Sequence, residues 1–256
     1  MTMIDIAYTA HETGTSARVT IERAEKLNVL NRTLVRELTD AINSLADDDN
    51  LRLVVLTGAG EKAFIGGADI GNMATLTPDG AKEFITELHG VMAAIRDLPV
   101  PIIARIDGYC LGGGFEVAAA CDMRIASDRA KFSMPEVHVG IPSVIDAALL
   151  GRLMGRGRAA RLVYTGEMID AAKAYDWGFL EEVVSPSELD NAVDKVGAAI
   201  LAAGPIAIRT QKTLLNAWDD MTYSEAVAVS IPAFAKSYET PEPTERMQAF
   251  LAGKKK

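Results

Sequence analysis

Apolar residues recur along this chain in two spacings. Short runs rich in Val and Ile at 18–21, 51–57 and 101–109 are continuous enough to read as strands buried on both faces. Between them, 31–46 repeats Leu34, Leu38, Ile42 and Leu45, while 79–95 repeats Phe84, Leu88, Val91, Met92 and Ile95, both at helical spacing. Strand followed by helix, repeated, predicts an α/β core. After Pro186 the strand signals stop, and helical patterns at 187–203, 205–218 and 223–237 remain. A short last helix is expected after the turn at 239–243, which carries Pro241 and Pro243.

Composition narrows the class. A chain of 256 residues, 49% hydrophobic and 24% charged, is an ordinary globular protein with one main domain. A net charge of −9 argues against a nucleic-acid partner, which demands clustered Lys and Arg. The one basic run is Lys254 to Lys256, read as a solvated tail. The two cysteines, Cys110 and Cys121, sit in apolar surroundings, so neither a disulfide framework nor a four-ligand zinc site is expected. His11, His89 and His138 lack metal-binding spacing, and no G-x-S-x-G elbow is present. The N-terminus has neither a basic start nor an apolar stretch of signal length, and no apolar run approaches the ~20 residues of a membrane span. Cytoplasmic residence without membrane association is the expectation.

Glycine-rich segments carry the candidate chemistry. Gly58-Ala59-Gly60-Glu61-Lys62-Ala63 matches a dinucleotide fingerprint after a strand, but 63–67 is a poor helix start where that motif needs one. A second match, 155–160, comes after a helical run and reads as a turn between helices. Gly112-Gly113-Gly114-Phe115-Glu116 stands between a strand and a helical run. Glycines there let backbone approach a ligand, and the N–H groups of a helix start favour an oxygen gaining negative charge. The plainer alternative is a tight turn with Glu116 as an acid of the first helical turn. Gly66-Gly67-Ala68-Asp69 is a second loop placed after a strand and can offer N–H groups to the same oxygen.

These two loops resemble the crotonase, or enoyl-CoA hydratase/isomerase, family: 62–70 is similar to the stretch around its first oxyanion donor, and 105–116 with 121–126 to that around its second. Further similarity lies at 23–28, 132–136, 171–178 and 249–251, so the resemblance spans essentially the whole chain. It implies an α/β fold of the ClpP-like ββα spiral type, with a catalytic core over 1–195 and helices over 196–256 that build a trimer, commonly a dimer of trimers. It implies Ala68 and Gly113 as oxyanion donors, Glu116 chiefly as base toward water and Glu136 as the acid at the α carbon. Lys26, Leu27, Gly67, Asp69, Ile70 and Gly112 fall at positions that contact the substrate, with Phe250 and Lys254 reaching the coenzyme A of a neighbouring subunit. Hydration of a 2-enoyl-CoA is the implied reaction, with no metal and no cofactor beyond the coenzyme A of the substrate. Isomerisation, decarboxylation or thioester hydrolysis reuse the same oxyanion hole, and a non-catalytic relative or a nicotinamide oxidoreductase are the rivals from other classes.

The pattern departs from that family at one place. Hydratases carry Pro-Gly-x-Gly-Gly after the second glutamate, where this chain reads Pro142-Ser143-Val144-Ile145-Asp146. The bulkier wall leaves open a smaller or polar acyl group. Ser143 as a helix N-cap and Asp146 as a first-turn acid is the structural alternative.

Overall fold

The computed structural model describes residues 2–253. The chain opens with β1 (Ile4–His11) and β2 (Gly14–Ile21), paired antiparallel, and then α1 (Arg32–Ala46). Three windings come next: β3 (Leu51–Gly58), β4 (Ala63–Ile65), α2 (Ile70–Met73) and α3 (Pro78–Asp97); β5 (Ile102–Ile106), β6 (Tyr109–Leu111) and α4 (Gly113–Ala120); β7 (Met123–Ser127), β8 (Lys131–Ser133) and a 3-10 turn, Pro135–Val139. Each winding adds its first strand to a six-stranded sheet, β1-β2-β3-β5-β7-β10, and its second to a four-stranded one, β4-β6-β8-β9. This is the expected ββα spiral. A 3-10 turn at Ile145–Leu149, α5 (Leu150–Met154), α6 (Arg156–Thr165), β9 (Ile169–Asp170), α7 (Ala171–Asp176) and β10 (Glu182–Val184) complete the sheets. Four helices end the chain: α8 (Leu189–Ala202), α9 (Pro205–Trp218), α10 (Tyr223–Ser237) and α11 (Glu242–Gly253).

The continuous apolar run of β3 has a direct cause. All eight of its residues are buried because both faces of the sheet are covered. Val54 and Leu56 join the main core with Leu34, Leu38 and Ile42 of α1 and Leu88, Met92 and Ile95 of α3. Leu53 and Val55 face the other way, into a smaller cluster with Leu189, Ala192 and Val193 of α8. The expected boundary at 195/196 thus falls inside a helix that packs on the sheet. Polar ends fix the helices: Asn31 caps α1 by accepting from Leu34 N–H at 2.8 Å, and Thr77 caps α3 with Pro78 in its first turn.

Some expectations need correction. The single strand expected over 101–109 is two strands in two sheets, because the chain turns at Asp107 and Gly108, where Asp107 is held by Ser127 and Arg129. The turn expected over 155–160 is confined to Gly155; 156–160 begin α6. β1 went unmarked in the sequence because most of its residues are exposed, leaving no apolar run. After Gly58 the chain enters β4, not a helix, so the phosphate-binding geometry of a dinucleotide fold is missing there. No single helix among the described residues is long and apolar enough to cross a membrane.

The C-terminal helices dock through cations that bond backbone carbonyls. Lys212 of α9 is 4% exposed, and its Nζ donates to Ile95 O at 3.1 Å, Val100 O at 2.9 Å and Asp122 Oδ2 at 2.9 Å. Arg52 donates to Thr13 O and Ala203 O, and Arg209 to Leu51 O. Glu242 of α11 accepts from Ile206 N–H and Ala207 N–H, placing an anion at the N-terminus of α9. Lys212→Met leaves two carbonyls without their donor and strips the half-buried Asp122 carboxylate of its cation, leaving Oδ2 with the Ile102 N–H alone, and is expected to lower stability by about 3 kcal/mol in chemical denaturation. A loss below about 1 kcal/mol would show that water replaces the lysine at no penalty.

Candidate active site

The first loop of the site is built on the end of β4. Leu30 N–H donates to Gly67 O at 2.8 Å and Asp69 N–H to Leu30 O at 2.9 Å, a parallel bridge that uses the residues on either side of Ala68. Along extended chain successive N–H groups alternate sides, so the Ala68 N–H points away from Leu30. Arg23 braces this arrangement by donating to Val29 O at 2.7 Å and pairing with Asp69 at 3.4 Å. Buried Asn28 joins it to the preceding loop by donating to Ala59 O and Ala63 O. Asp69 itself caps α2 by accepting from Gly71 N–H.

The second loop turns at Gly112, the N-cap of α4, with φ +50°. A Cβ there would lie 2.4 Å from Glu136 Oε1 and displace that carboxyl, on a backbone that already favours glycine. Gly113 is the first helical residue, so its N–H has no partner inside the helix. A Cβ at Gly114 would lie 2.4 Å from Ile65 O, so α4 starts in backbone contact with β4. Phe115 of α4 packs edge-on against Phe179, ring centroids 4.3 Å apart, with Phe132 completing the cluster. The glycine loops are thereby held side by side.

Ala68, Gly113, Glu116 and Glu136 line one cavity of about 180 Å³, together with Gly67, Ile70 and Gly112. Lys26, Leu27, Asp69 and Phe250 are not among the residues that line it, although Leu27 O accepts from Gly66 N–H at 2.8 Å. Lys254 lies outside the described residues. The cavity runs into an apolar hollow walled by Met73, Leu76, Phe84, Ile85, Ile141 and Val144, with Lys82 at its edge.

Glu116 is 4% exposed, and burial pushes its carboxyl up to about 8. The Ala147 N–H, which donates to Oε1 at 3.0 Å, opposes that rise, while the charges of Glu136 and Asp146 add to it. Glu116 therefore favours its protonated form at neutral pH. Glu136 is half-buried on the 3-10 turn, with Oε2 accepting from Ser143 Oγ at 2.9 Å.

The departing segment 143–147 shows what sequence reasoning missed. Val144, not Ser143, occupies the cap of the turn Ile145–Leu149, and no side chain caps it. Asp146 is in the first turn as expected, but it is buried and hydrogen-bonded to His89 Nδ1 at 2.7 Å. Both polar side chains are thus engaged away from the hollow, whose walls are apolar. No spacing signal links His89 to Asp146, since they meet only when α3 packs against this turn. Cys110 and Cys121 are buried thiols, and no cluster of metal-ligating residues occurs among the described residues.

A buried acid with a raised pKa binds its proton more tightly in the folded state, so its stabilising contribution is full below about pH 4.5 and is lost as pH rises toward about 8. Glu116→Gln removes that loss. The melting temperature of the variant relative to the parent is therefore expected to rise between pH 5 and about pH 9, and a difference independent of pH would contradict the burial argument.

Comparison with known proteins gives the same picture over nearly the full length. A family model described as enoyl-CoA hydratase/isomerase matches residues 12–256. Crotonyl-CoA hydratase of Syntrophomonas wolfei is 37% identical over 236 residues, covering 92% of this chain and 91% of that protein. The short-chain-enoyl-CoA hydratase of Clostridium acetobutylicum is 36% identical over 243 residues, covering 94% of this chain and 93% of that protein. The crystal structure of an enoyl-CoA hydratase from Bacillus anthracis superimposes with a TM-score of 0.93 at 31% identity, over 98% of this chain and 97% of that one. Sequence and fold together place the chain in the enoyl-CoA hydratase/isomerase family.

Proposed function

We propose that the protein is a hydratase that adds water reversibly across the double bond of a 2-enoyl-CoA. The observation that carries this reading is the convergence of Glu116 and Glu136 on one cavity with the loops that bear the Ala68 and Gly113 N–H groups. As water oxygen bonds to the β carbon, the π electrons move onto the thioester oxygen. Preorganised N–H donors meet that charge without rearranging. One carboxylate takes a proton from water and one carboxylic acid gives a proton to the α carbon, so the pair begins and ends with one proton. Hydration starts with Glu136 protonated and Glu116 ionised, and dehydration with the reverse. Because burial favours the proton on Glu116, hydration draws on the ionised fraction of Glu116.

The apolar hollow beyond the cavity takes an apolar acyl chain. Gly67, Ile70 and Gly112 flank the thioester. Lys26, Leu27 and Asp69 shape the loops that receive coenzyme A, and no separate cofactor is required. The same reading includes assembly of copies of the chain. α10 and α11 leave Tyr223, Ile231, Phe234, Phe250 and Leu251 exposed, apolar side chains suited to contact between copies, and the family resemblance puts Phe250 and Lys254 at positions that approach a neighbour's coenzyme A.

Two measurements test these statements. Glu116→Gln and Glu136→Gln are each expected to slow hydration of crotonyl-CoA by roughly 100-fold or more in a folded protein, with products identified by mass; undiminished turnover in either variant sinks the assignment. Light scattering is expected to give three or six times the 27.4 kDa chain mass, and a single-chain mass would exclude the trimer.

A further inference from the structure

Segment 143–147 reaches both carboxyls of the cleft. Ala147 N–H donates to Glu116 Oε1 at 3.0 Å, Ser143 Oγ donates to Glu136 Oε2 at 2.9 Å, and between them Asp146 ties the segment to His89 of α3 at 2.7 Å. The segment holds this shape under strain. Ile145 sits at φ +43°, where a β-branched residue is a genuine outlier, and its side chain packs against the core. A conformation of that kind persists only when its surroundings over-determine it.

The two glutamates depend on the segment differently. Glu116 is buried on a helix whose neighbours leave it little room, while Glu136 is a half-buried side chain on a short 3-10 turn. A glutamate so placed has several rotamers open to it, some toward solvent. What restrains it here is a carboxyl group with one oxygen against the Gly112 backbone and the other on the Ser143 hydroxyl. Where the family pattern has glycine, this chain has supplied a hydroxyl.

We propose that Ser143 is a positioning residue for Glu136: its hydroxyl engages Oε2, leaving Oε1, which lies over Gly112, as the oxygen that exchanges the proton with the α carbon. The inference rests on the hydratase reading. Ser143 touches no reacting atom in this scheme. It acts only through the rotamer of Glu136, and so its removal acts on turnover and spares substrate binding.

The test is steady-state hydration of crotonyl-CoA by the parent, Ser143→Ala, Ser143→Gly, Ser143→Thr, Glu136→Gln and the double variant Ser143→Ala with Glu136→Gln, each checked for an unchanged melting transition. The alanine and glycine variants are expected to lose about 10-fold to 100-fold in kcat with KM little altered, the range for a catalytic group displaced by about 1 Å. Threonine, which keeps the hydroxyl, is expected to recover most of that loss. In the Glu136→Gln background, Ser143→Ala is expected to add nothing, because the proton-exchanging group is already gone. An active parent whose Ser143→Ala variant keeps its kcat, loses only KM, or adds its full effect to that of Glu136→Gln overturns the positioning role alone. A folded threonine variant as slow as alanine overturns it as well. A parent that hydrates no 2-enoyl-CoA overturns the hydratase reading first, and the positioning role with it.

Discussion

The backbone contact between Gly114 and Ile65 governs the geometry of the site. With no room for even a methyl group between them, the first turn of α4 lies directly on the end of β4. Gly113 precedes one side of that contact and Gly66 to Ala68 come after the other, so the spacing of the two glycine loops is set by van der Waals radii. Hydrogen bonds could stretch or be traded for water; atoms in contact cannot approach further. The aromatic cluster of Phe115, Phe132 and Phe179 presses α4 into place from behind, and the Leu30 bridge keeps the β4 loop extended. The two glycine loops are therefore set by the fold itself, with their ordering entropy already spent in folding.

Electrostatics adds a second constraint, which works against stability. Eight residues of α4 are buried, Glu116 among them, and burial of a carboxyl is unfavourable unless it is neutral or well paired. One backbone N–H from Ala147 and two nearby acids leave the balance toward the proton. A fold selected for stability alone would place an apolar residue there. Burial gives this carboxyl a proton affinity suited to exchange near neutrality, where a carboxyl in water would remain ionised.

Much of the core was legible because its signals are local. The apolar positions expected for α1 and α3 are all buried, since a helix that covers a sheet must repeat near every fourth residue. β3 was visible for the opposite reason, having two covered faces and no alternation. β1 and the short strands β4, β8 and β9 were not, because an exposed edge or a two- or three-residue pairing carries too little pattern to separate it from a loop. At the site, Ala68, Gly113 and Glu116 lie in the two glycine motifs and Glu136 came in only through the family resemblance at 132–136, yet the links from Ser143 and Asp146 to their partners left no signal. Ser143 pairs with Glu136 across a loop, and Asp146 with His89 across 57 positions of sequence. Such contacts are products of packing, and a polar residue in the sequence states only that it needs a partner.

Ile145 sets backbone strain against packing at this turn. Glycine would take the same left-handed backbone without strain, but it would leave the adjoining core unfilled and loosen the turn. Keeping isoleucine there exchanges local backbone comfort, of order 1–3 kcal/mol, for rigidity and packing. The His89–Asp146 pair is part of what holds that strained backbone, so the contacts of Ser143 and Ala147 with the two glutamates are coupled to it and the turn responds to substitution as one unit.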